Sequence, residues 1–402
     1  MQNIFILTIF WLTYLFPNVY LTPTLQAQLR YIKTAMPCPK VPAKSYLVLQ
    51  AQNRAVLASH NPHKKVAPAS LTKLMTLYLL EEALKHKELQ LSDMIFVSKK
   101  AWSRPGSRMF IKEGSYVSVD VIRQGIAVAS GNDATTALAE HLAGSEAGFV
   151  QMMNQKAKDL GMTKTHFANA SGLPNDNHYT CANDLGLLAS SFLQNHPSST
   201  SYLQQKTITY NGIKQFNRNR LLWRDETITG MKTGHTQAAG YCLIASAQRH
   251  KTPLIAITLG SDTESDRDES AKLLLHYADF NFDHILVEND DNLENATVYY
   301  GDRNEIKSKL SHNLTLSLPK RHAPVSYKTQ IYQDIYAPVK EGDQVGEYEI
   351  YLGKEKLDSI PIVSKEAVIS GGRWSCLKDW LSIKARKLSS LLPSKYTDNA
   401  QK

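Results

Sequence analysis

The sequence predicts an α+β domain, then a small antiparallel β domain, then a C-terminal amphipathic helix. Three observations carry this. Strand-like stretches open and close the segment up to about Phe282, with helical stretches between them, the order of elements expected of an α+β unit. From about 284 onward, apolar and polar residues alternate between Gly and Pro turns, as in half-buried antiparallel strands. After Gly371-Gly372 the period changes to helical, with two tryptophans on the apolar side. With 402 residues, 43% of them hydrophobic, the chain has enough apolar material for two cores.

The elements follow in order. Ile4 to Phe16 is an apolar run too short to span a bilayer comfortably. Pro17 and then Leu25-Gln26-Ala27 read as the end of a signal peptide over 1–27, cleaved after Ala27. The first sixteen residues hold no Lys or Arg, a departure from the usual leader that keeps an uncleaved anchor as the alternative. Residues 28–44, with Pro37, Pro39 and Pro42, read as a lead-in. "SYLVLQAQNRAVLASHNP" alternates around a polar turn and reads as a β-hairpin. Helices are predicted over 70–86, about 118–143 and about 146–160. "GYCLIASAQ" (240–248) and "PLIAITLG" (253–260) have strand length, and "ESAKLLLHYADF" (269–280) reads as a helix. The domain boundaries are thus 28–283, 284–370 for the β-rich domain, and 371–392 for the tail helix. "NLTLSLP", "SYKTQIYQ" and "GEYEIYLG" are the alternating segments of the β domain, which holds no cluster of catalytic residue types.

On the tail helix Trp374, Leu377, Trp380, Leu381, Leu388, Leu391 and Leu392 share one face, and Asp379, Ser382, Arg386 and Ser389 lie opposite. From Gly371 to the end there are seven Lys/Arg against two Asp/Glu, a surplus of five. A basic amphipathic helix with tryptophans suits the headgroup region of an anionic membrane. The competing reading is a helix that packs back on its own protein.

The formal net charge is +9. Without zinc-finger spacing, an RNA-binding aromatic motif or a long Lys/Arg block, nucleic acid is excluded as a partner. Cys38, Cys181, Cys242 and Cys376 are too few and too scattered for a disulfide scaffold. His60 and His63 fall in a turn and no His-Glu-x-x-His occurs, so neither a metal nor a cofactor is assigned.

The chemistry starts in "APASLTKLMTLYLLEEAL" (67–84). Leu71, Leu74, Met75, Tyr78 and Leu79 recur at helical spacing, so the helix is buried, yet Lys73 sits inside it. A buried ammonium is costly. One turn of helix brings residues i and i+3 side by side, so Lys73 reaches Ser70. A neutral lysine is then the base that a serine nucleophile needs. Ser-x-x-Lys alone is weak and recurs at Ser375–Lys378. The signal comes from its company: Ser130-Gly131-Asn132 begins sixty positions after Ser70, and Lys232-Thr233-Gly234, unique in the chain, begins 102 positions after Ser130. These three elements in this order are the signature of the penicillin-binding proteins and class A β-lactamases, with Gly131 standing where Asp is usual.

"SLTK", "SGNDA", "FNRNRLLW", "MKTGHT", "AGYCLIASA" and the terminal helix resemble the low-molecular-weight penicillin-binding proteins that act as serine D-Ala-D-Ala carboxypeptidases. The similarity runs from about Lys44 to Leu392. It implies a transpeptidase/β-lactamase-like domain (an antiparallel sheet flanked by helices), a β-rich domain and a membrane-binding tail. It implies removal of the terminal D-alanine from peptidoglycan pentapeptide stems at the outer face of the cytoplasmic membrane, in the periplasm, and covalent inhibition by β-lactam antibiotics. By resemblance, Ser70 is the nucleophile, Lys73 its base and Ser130 a proton relay helped by Lys232. Asn132 orients substrate and Lys73, and the oxyanion hole is formed by the N–H groups of Ser70 and His235. Thr233 and Arg267 hold the terminal carboxylate, with Arg218 nearby, while Gly234 lets the strand approach the ligand.

In the segment "ANASGLPNDNHYTCANDLG" (168–186), His178 and Asp184 read as loop, turn and cap residues rather than an acid–base pair. Alternatives of the same fold are a DD-endopeptidase and a β-lactamase. The latter lacks support, because no Glu-x-x-x-Asn element that would activate a deacylating water lies between Ser130 and Lys232. A non-catalytic cell-wall scaffold would have no need of the intact serine–lysine pair.

Overall fold

The computed structural model describes residues 30–31, 37–289 and 293–391. The predicted leader 1–27, its cleavage site, and Leu392 lie outside the described residues. The central element is a six-stranded sheet in the order Arg30–Tyr31, Ala55–His60, Ser45–Gln50, Thr252–Ser261, Gly240–Arg249, Ile228–Thr236. All pairings are antiparallel except that of the short first strand. The first hairpin closes with side chains in its turn: Asn53 N–H donates to Gln50 Oε1 (2.7 Å) and Ala55 N–H to Asn53 Oδ1 (3.0 Å).

Both faces of this sheet are covered, which is why its strands read as apolar runs rather than as alternation. Leu47, Leu49, Ile244, Ile255 and Ile257 join one core with the helices Lys73–Lys85 and Ala182–Asn195. Tyr46, Val48, Leu243, Ala245, Leu254 and Ala256 point the other way, onto Ala271, Leu274 and Leu275 of the helix Glu264–Asn281. The period-two geometry of a strand divides the side chains between the two cores.

Two helical expectations are revised. The stretch 118–143 is not one helix. An α segment Val119–Gln124 runs into a wider π turn over Gly125–Ala129, and the chain breaks at Ser130, whose φ is +57°, before Asn132–Ala143 begins. Apolar periodicity runs through both pieces, so it hides a break made by one residue's backbone angle. The helix predicted from 269 starts at Glu264, because Thr263 caps it by accepting from Asp266 N–H (3.0 Å).

From Phe282 the chain is all β until the tail. Phe282–Val287 pairs with Leu314–Pro319, and a four-stranded sheet runs Ser308–Leu310, Glu355–Ser364, Gln344–Leu352, Val325–Ile331. These strands enclose a separate core that includes Leu316, Val345, Ile350, Ile360 and Ile362. The helix Arg373–Leu391 buries Asp379 and Ile383 and hydrogen-bonds this unit through Ser375 and Asp379. Asp379, 5% exposed, accepts from Tyr300 N–H (2.6 Å), and Ser375 donates to the Gly301 carbonyl (2.9 Å). All four cysteines are free thiols.

Candidate active site

Ser70 lies in a 3-10 turn, Ala69–Thr72, that leads into the buried helix Lys73–Lys85. Three elements converge on this turn. The Ser130–Asn132 break comes from one side, the strand Ile228–Thr236 from another, and the segment 169–173 from a third. Close backbone approach makes the convergence possible. Gly234 leaves little room for a side chain, since a Cβ there would lie 3.1 Å from the backbone nitrogens of both Ser70 and Leu71. Gly172 is more constrained: its φ is +87° and a Cβ would lie 1.8 Å from the Ala69 carbonyl oxygen. Ala69 itself sits at φ +48°, a region costly for any residue with a Cβ.

Lys73 is fully buried and its Nζ touches three oxygens. Ser70 Oγ is at 2.9 Å, Asn132 Oδ1 at 2.7 Å and the Ser171 carbonyl at 2.7 Å. The Asn132 amide is oriented unambiguously, because its Nδ2 donates to the Pro105 carbonyl (2.6 Å). Burial holds the Lys73 amine well below the ordinary lysine range, and the charges of Lys232 and Arg218 lower it further. A neutral amine has two N–H donors and one lone pair. Asn132 Oδ1 and the Ser171 carbonyl can only accept, so together they take both donors. The lone pair is left facing the Ser70 hydroxyl, which is the geometry of a general base.

Ser130 is 2% exposed, and its hydroxyl has no hydrogen-bond partner among the described residues. Lys232 is also buried, with Nζ donating to the Thr233 carbonyl (3.0 Å). Burial, then Arg218 and Arg267, push its pKa down to about 7. Thr233 is buried beside it. His235 is exposed, its ring stacked on Tyr241 across the strand pair with centroids 4.0 Å apart. Arg218 is exposed.

Arg267, expected to hold a substrate carboxylate, lies behind the Lys232 strand. It is 2% exposed in the helix Glu264–Asn281. Its Nε and Nη2 are engaged by Asp268 Oδ1 (2.9 and 2.7 Å), and Nη2 also reaches the Arg218 carbonyl (3.4 Å). It acts on the site through its charge on Lys232 and its hold on the Arg218 backbone. His178 bonds Thr72 Oγ1 through Nε2 (3.0 Å), and Asp184 accepts from Lys164 N–H and the Thr165 hydroxyl. They are not paired with each other.

Some contributors were not read from the sequence. Asp133, fully buried, accepts from Met109, Phe110 and Ile111 N–H (3.0, 2.9 and 3.3 Å) and so shapes the loop that flanks Asn132. Asn169 Oδ1 accepts from Gly172 and Leu173 N–H (2.7 and 3.1 Å), which folds the turn that presents the Ser171 carbonyl to Lys73. The signal available was adjacency to a recognised motif for Asp133 and an Asn-x-x-Gly turn pattern for Asn169.

Residues 32–263 match the family described as D-alanyl-D-alanine carboxypeptidase, and residues 283–370 match that described as penicillin-binding protein 5, C-terminal domain. The chain belongs to the D-alanyl-D-alanine carboxypeptidase family. It is 34% identical over 378 residues to the D-alanyl-D-alanine carboxypeptidase DacD of Salmonella typhimurium, covering 91% of this chain and 96% of that one. Among solved structures, penicillin binding protein 5 from Haemophilus influenzae superimposes with a TM-score of 0.71 at 32% identity, over 83% of this chain and all of that one. Penicillin-binding protein D2 from Listeria monocytogenes, solved in an ampicillin-bound form, superimposes with a TM-score of 0.56 at 32% identity, over 60% of this chain and 99% of that one. This carboxypeptidase is therefore a serine-type peptidase of the penicillin-binding class. Among the described residues no His/Cys/Asp/Glu cluster could hold a metal ion.

Two predictions test this geometry. Gly172→Ala pushes a methyl group into the Ala69 carbonyl at an unfavourable φ, and should destabilise the fold by about 2–4 kcal/mol while slowing acylation of Ser70. Thermal denaturation and labelled-penicillin binding read the two effects. Arg218→Ala removes a cation that lowers both active-site lysines, so their pKa values rise. With Lys73 as the base, active only in its neutral form, the acid limb of the acylation rate against pH should move upward, by roughly half a unit to one unit for an exposed charge.

Proposed function

We propose that this carboxypeptidase cleaves the terminal D-alanine from peptidoglycan pentapeptide stems through an acyl-enzyme on Ser70. The observation that carries the reading is the lone pair of Lys73, directed at Ser70 by two acceptors. Ser70 Oγ attacks the penultimate carbonyl carbon as its proton passes to Lys73 Nζ. The backbone N–H groups of Ser70 and His235 hold the oxyanion. The C–N bond breaks as the leaving nitrogen takes a proton from Ser130 Oγ, which is resupplied through Lys232. Thr233 and Arg218 hold the terminal carboxylate, Lys232 adds positive charge, and Gly234 keeps the strand close. Asn132 orients both Lys73 and the substrate amide. Water then hydrolyses the ester. A β-lactam reaches the same ester and leaves slowly, for want of a glutamate to activate water.

The domain boundaries of this reading are a leader over 1–27, a catalytic domain over 28–283, a β-rich domain over 284–370 and an anchoring helix over 371–392. The enzyme works in the periplasm, on the outer face of the cytoplasmic membrane. Among the described residues no helix is long and apolar enough to cross a membrane, so attachment is peripheral. Support comes from the way the tail helix docks. Ser375 and Asp379 face the protein, while Trp374 is 85% exposed and Leu377, Trp380 and Leu381 are about half exposed. Lys384 Nζ lies 4.0 Å from the Trp380 ring centre, a basic group beside the apolar face. A helix kept only for its own protein would turn that face inward.

The decisive assay is release of D-alanine from a pentapeptide ending in D-Ala-D-Ala. Ser70→Ala and Lys73→Ala should each lower it by a factor on the order of 1,000 or more with circular dichroism unchanged. Equal release from Ser70→Ala and wild type would overturn the mechanism. For the tail, the mature chain should sediment with phosphatidylglycerol-containing vesicles. Joint Trp374→Ala and Trp380→Ala substitution should cut binding about tenfold or more, given the apolar area lost from the headgroup layer.

A further inference from the structure

The two acceptors that take up the Lys73 N–H groups stand on separate segments, and both segments are tied to one carboxylate. Glu146 opens the helix Glu146–Asp159, which Ser145 caps. It is 8% exposed. Its Oε2 is in an ion pair with Arg104 and lies 3.2 Å from Lys100 Nζ, and its Oε1 accepts from Ala170 N–H (3.4 Å). Arg104 directly precedes Pro105, whose carbonyl orients the Asn132 amide. Ala170 directly precedes Ser171, whose carbonyl meets Lys73. The carboxylate thus reaches each segment one residue before the group that the base depends on.

Both arms continue into the elements that carry the chemistry. Arg104 Nε donates to Thr136 Oγ1 (3.1 Å), and Thr136 lies one turn along the helix that begins at Asn132. Gly106, at φ +82°, lets this loop pass so close that a Cβ would lie 2.9 Å from Asn132 Nδ2. On the other arm the Ala170 carbonyl accepts from the Thr76 hydroxyl (2.7 Å), and Thr76 lies one turn past Lys73 on its helix. A buried carboxylate is tolerated only when its oxygens are paired, and here the partners come from both segments. Removing it leaves the Arg104 guanidinium without its counter-charge and the buried Ala170 N–H without an acceptor, so both segments are released together.

We propose that Glu146 is a positioning residue for acylation, which sets Asn132 Oδ1 and the Ser171 carbonyl at the same time and so fixes where the Lys73 lone pair points. It works through Arg104 and Ala170. Among the described residues it makes no hydrogen bond to Ser70, Lys73, Ser130 or Lys232. A shift of either acceptor turns the lone pair away from the Ser70 hydroxyl, and a misplacement of about 1 Å can slow a reaction by up to ~100-fold. The effect falls on the chemical step rather than on binding, because Glu146 holds the base and not the ligand. The inference rests on Lys73 being the base for Ser70.

The test follows acylation of the full-length mature enzyme by a fluorescent penicillin in stopped flow. This separates the first-order acylation constant from the affinity of the preceding non-covalent complex. A first-order constant reports only folded molecules, so lost stability does not imitate the effect. Glu146→Ala should lower the constant about tenfold or more and leave the non-covalent affinity within about twofold. Glu146→Gln preserves the size and one acceptor oxygen, enough for one arm, and should fall between wild type and Glu146→Ala. Arg104→Ala cuts only the Asn132 arm, so combining it with Glu146→Ala should slow acylation by less than the product of the two single effects. If Glu146→Ala melts earlier yet acylates at the wild-type rate, or if the two effects multiply, the positioning role is overturned while Lys73→Ala remains inactive. Acylation of Lys73→Ala at the wild-type rate overturns the base reading as well.

Discussion

The proposed mechanism depends on one uncharged amine. Lys73 sits where an ammonium would be poorly solvated and beside other cations, so the folded chain favours its neutral form. Neutrality by itself does not make it a base for Ser70, because a free amine could turn any of its three directions toward the hydroxyl. Asn132 Oδ1 and the Ser171 carbonyl remove that freedom by claiming both N–H groups. The remaining parts of the active site can be understood as means of holding these two acceptors in place. Asp133 shapes the loop flanking Asn132, and Asn169 folds the turn behind Ser171.

That arrangement is bought with backbone strain and crowding. Ala69 and Ser130 both adopt positive φ, Gly172 touches the Ser70 turn at a distance that no Cβ allows, and Gly234 approaches it closely enough that a Cβ would be crowded. Each departure does a separate job. The turn at Ser130 ends one helix early enough to leave a buried hydroxyl without a partner among the described residues. Gly234 lets the edge strand of the sheet run directly beside the Ser70 nitrogen, where an oxyanion would form. A sheet buried on both faces is stiff enough to hold such contacts, since neither its strands nor the covering helices can shift without opening a core.

The rest of the chain separates chemistry from location. The β-rich unit has its own apolar core and touches the catalytic unit through few polar contacts, among them Thr315 N–H to Gln52 Oε1 (3.0 Å). The tail helix then docks by hydrogen bonds from its polar side, which leaves its tryptophans pointing away from the protein. An amphipathic helix held in this sense orients the body of the enzyme relative to whatever surface receives the apolar face.

The amino-acid sequence determined the α+β class, the three motifs and their order, the β-rich second unit and the amphipathic tail. These are carried by side-chain type and period, which are local properties. Tertiary structure decided what Lys73 touches, because the second acceptor is a main-chain carbonyl and every residue has one; nothing in the letters marks Ser171. It also decided the fate of Arg267. The letters "DRDES" do not say where an arginine points, and only packing shows it buried against Asp268. The side of the tail helix that meets the protein was likewise hidden, since Asp379 finds its partner at Tyr300, far away in the chain. Periodicity can say which residues share a face, but what that face meets is set by contacts between distant segments.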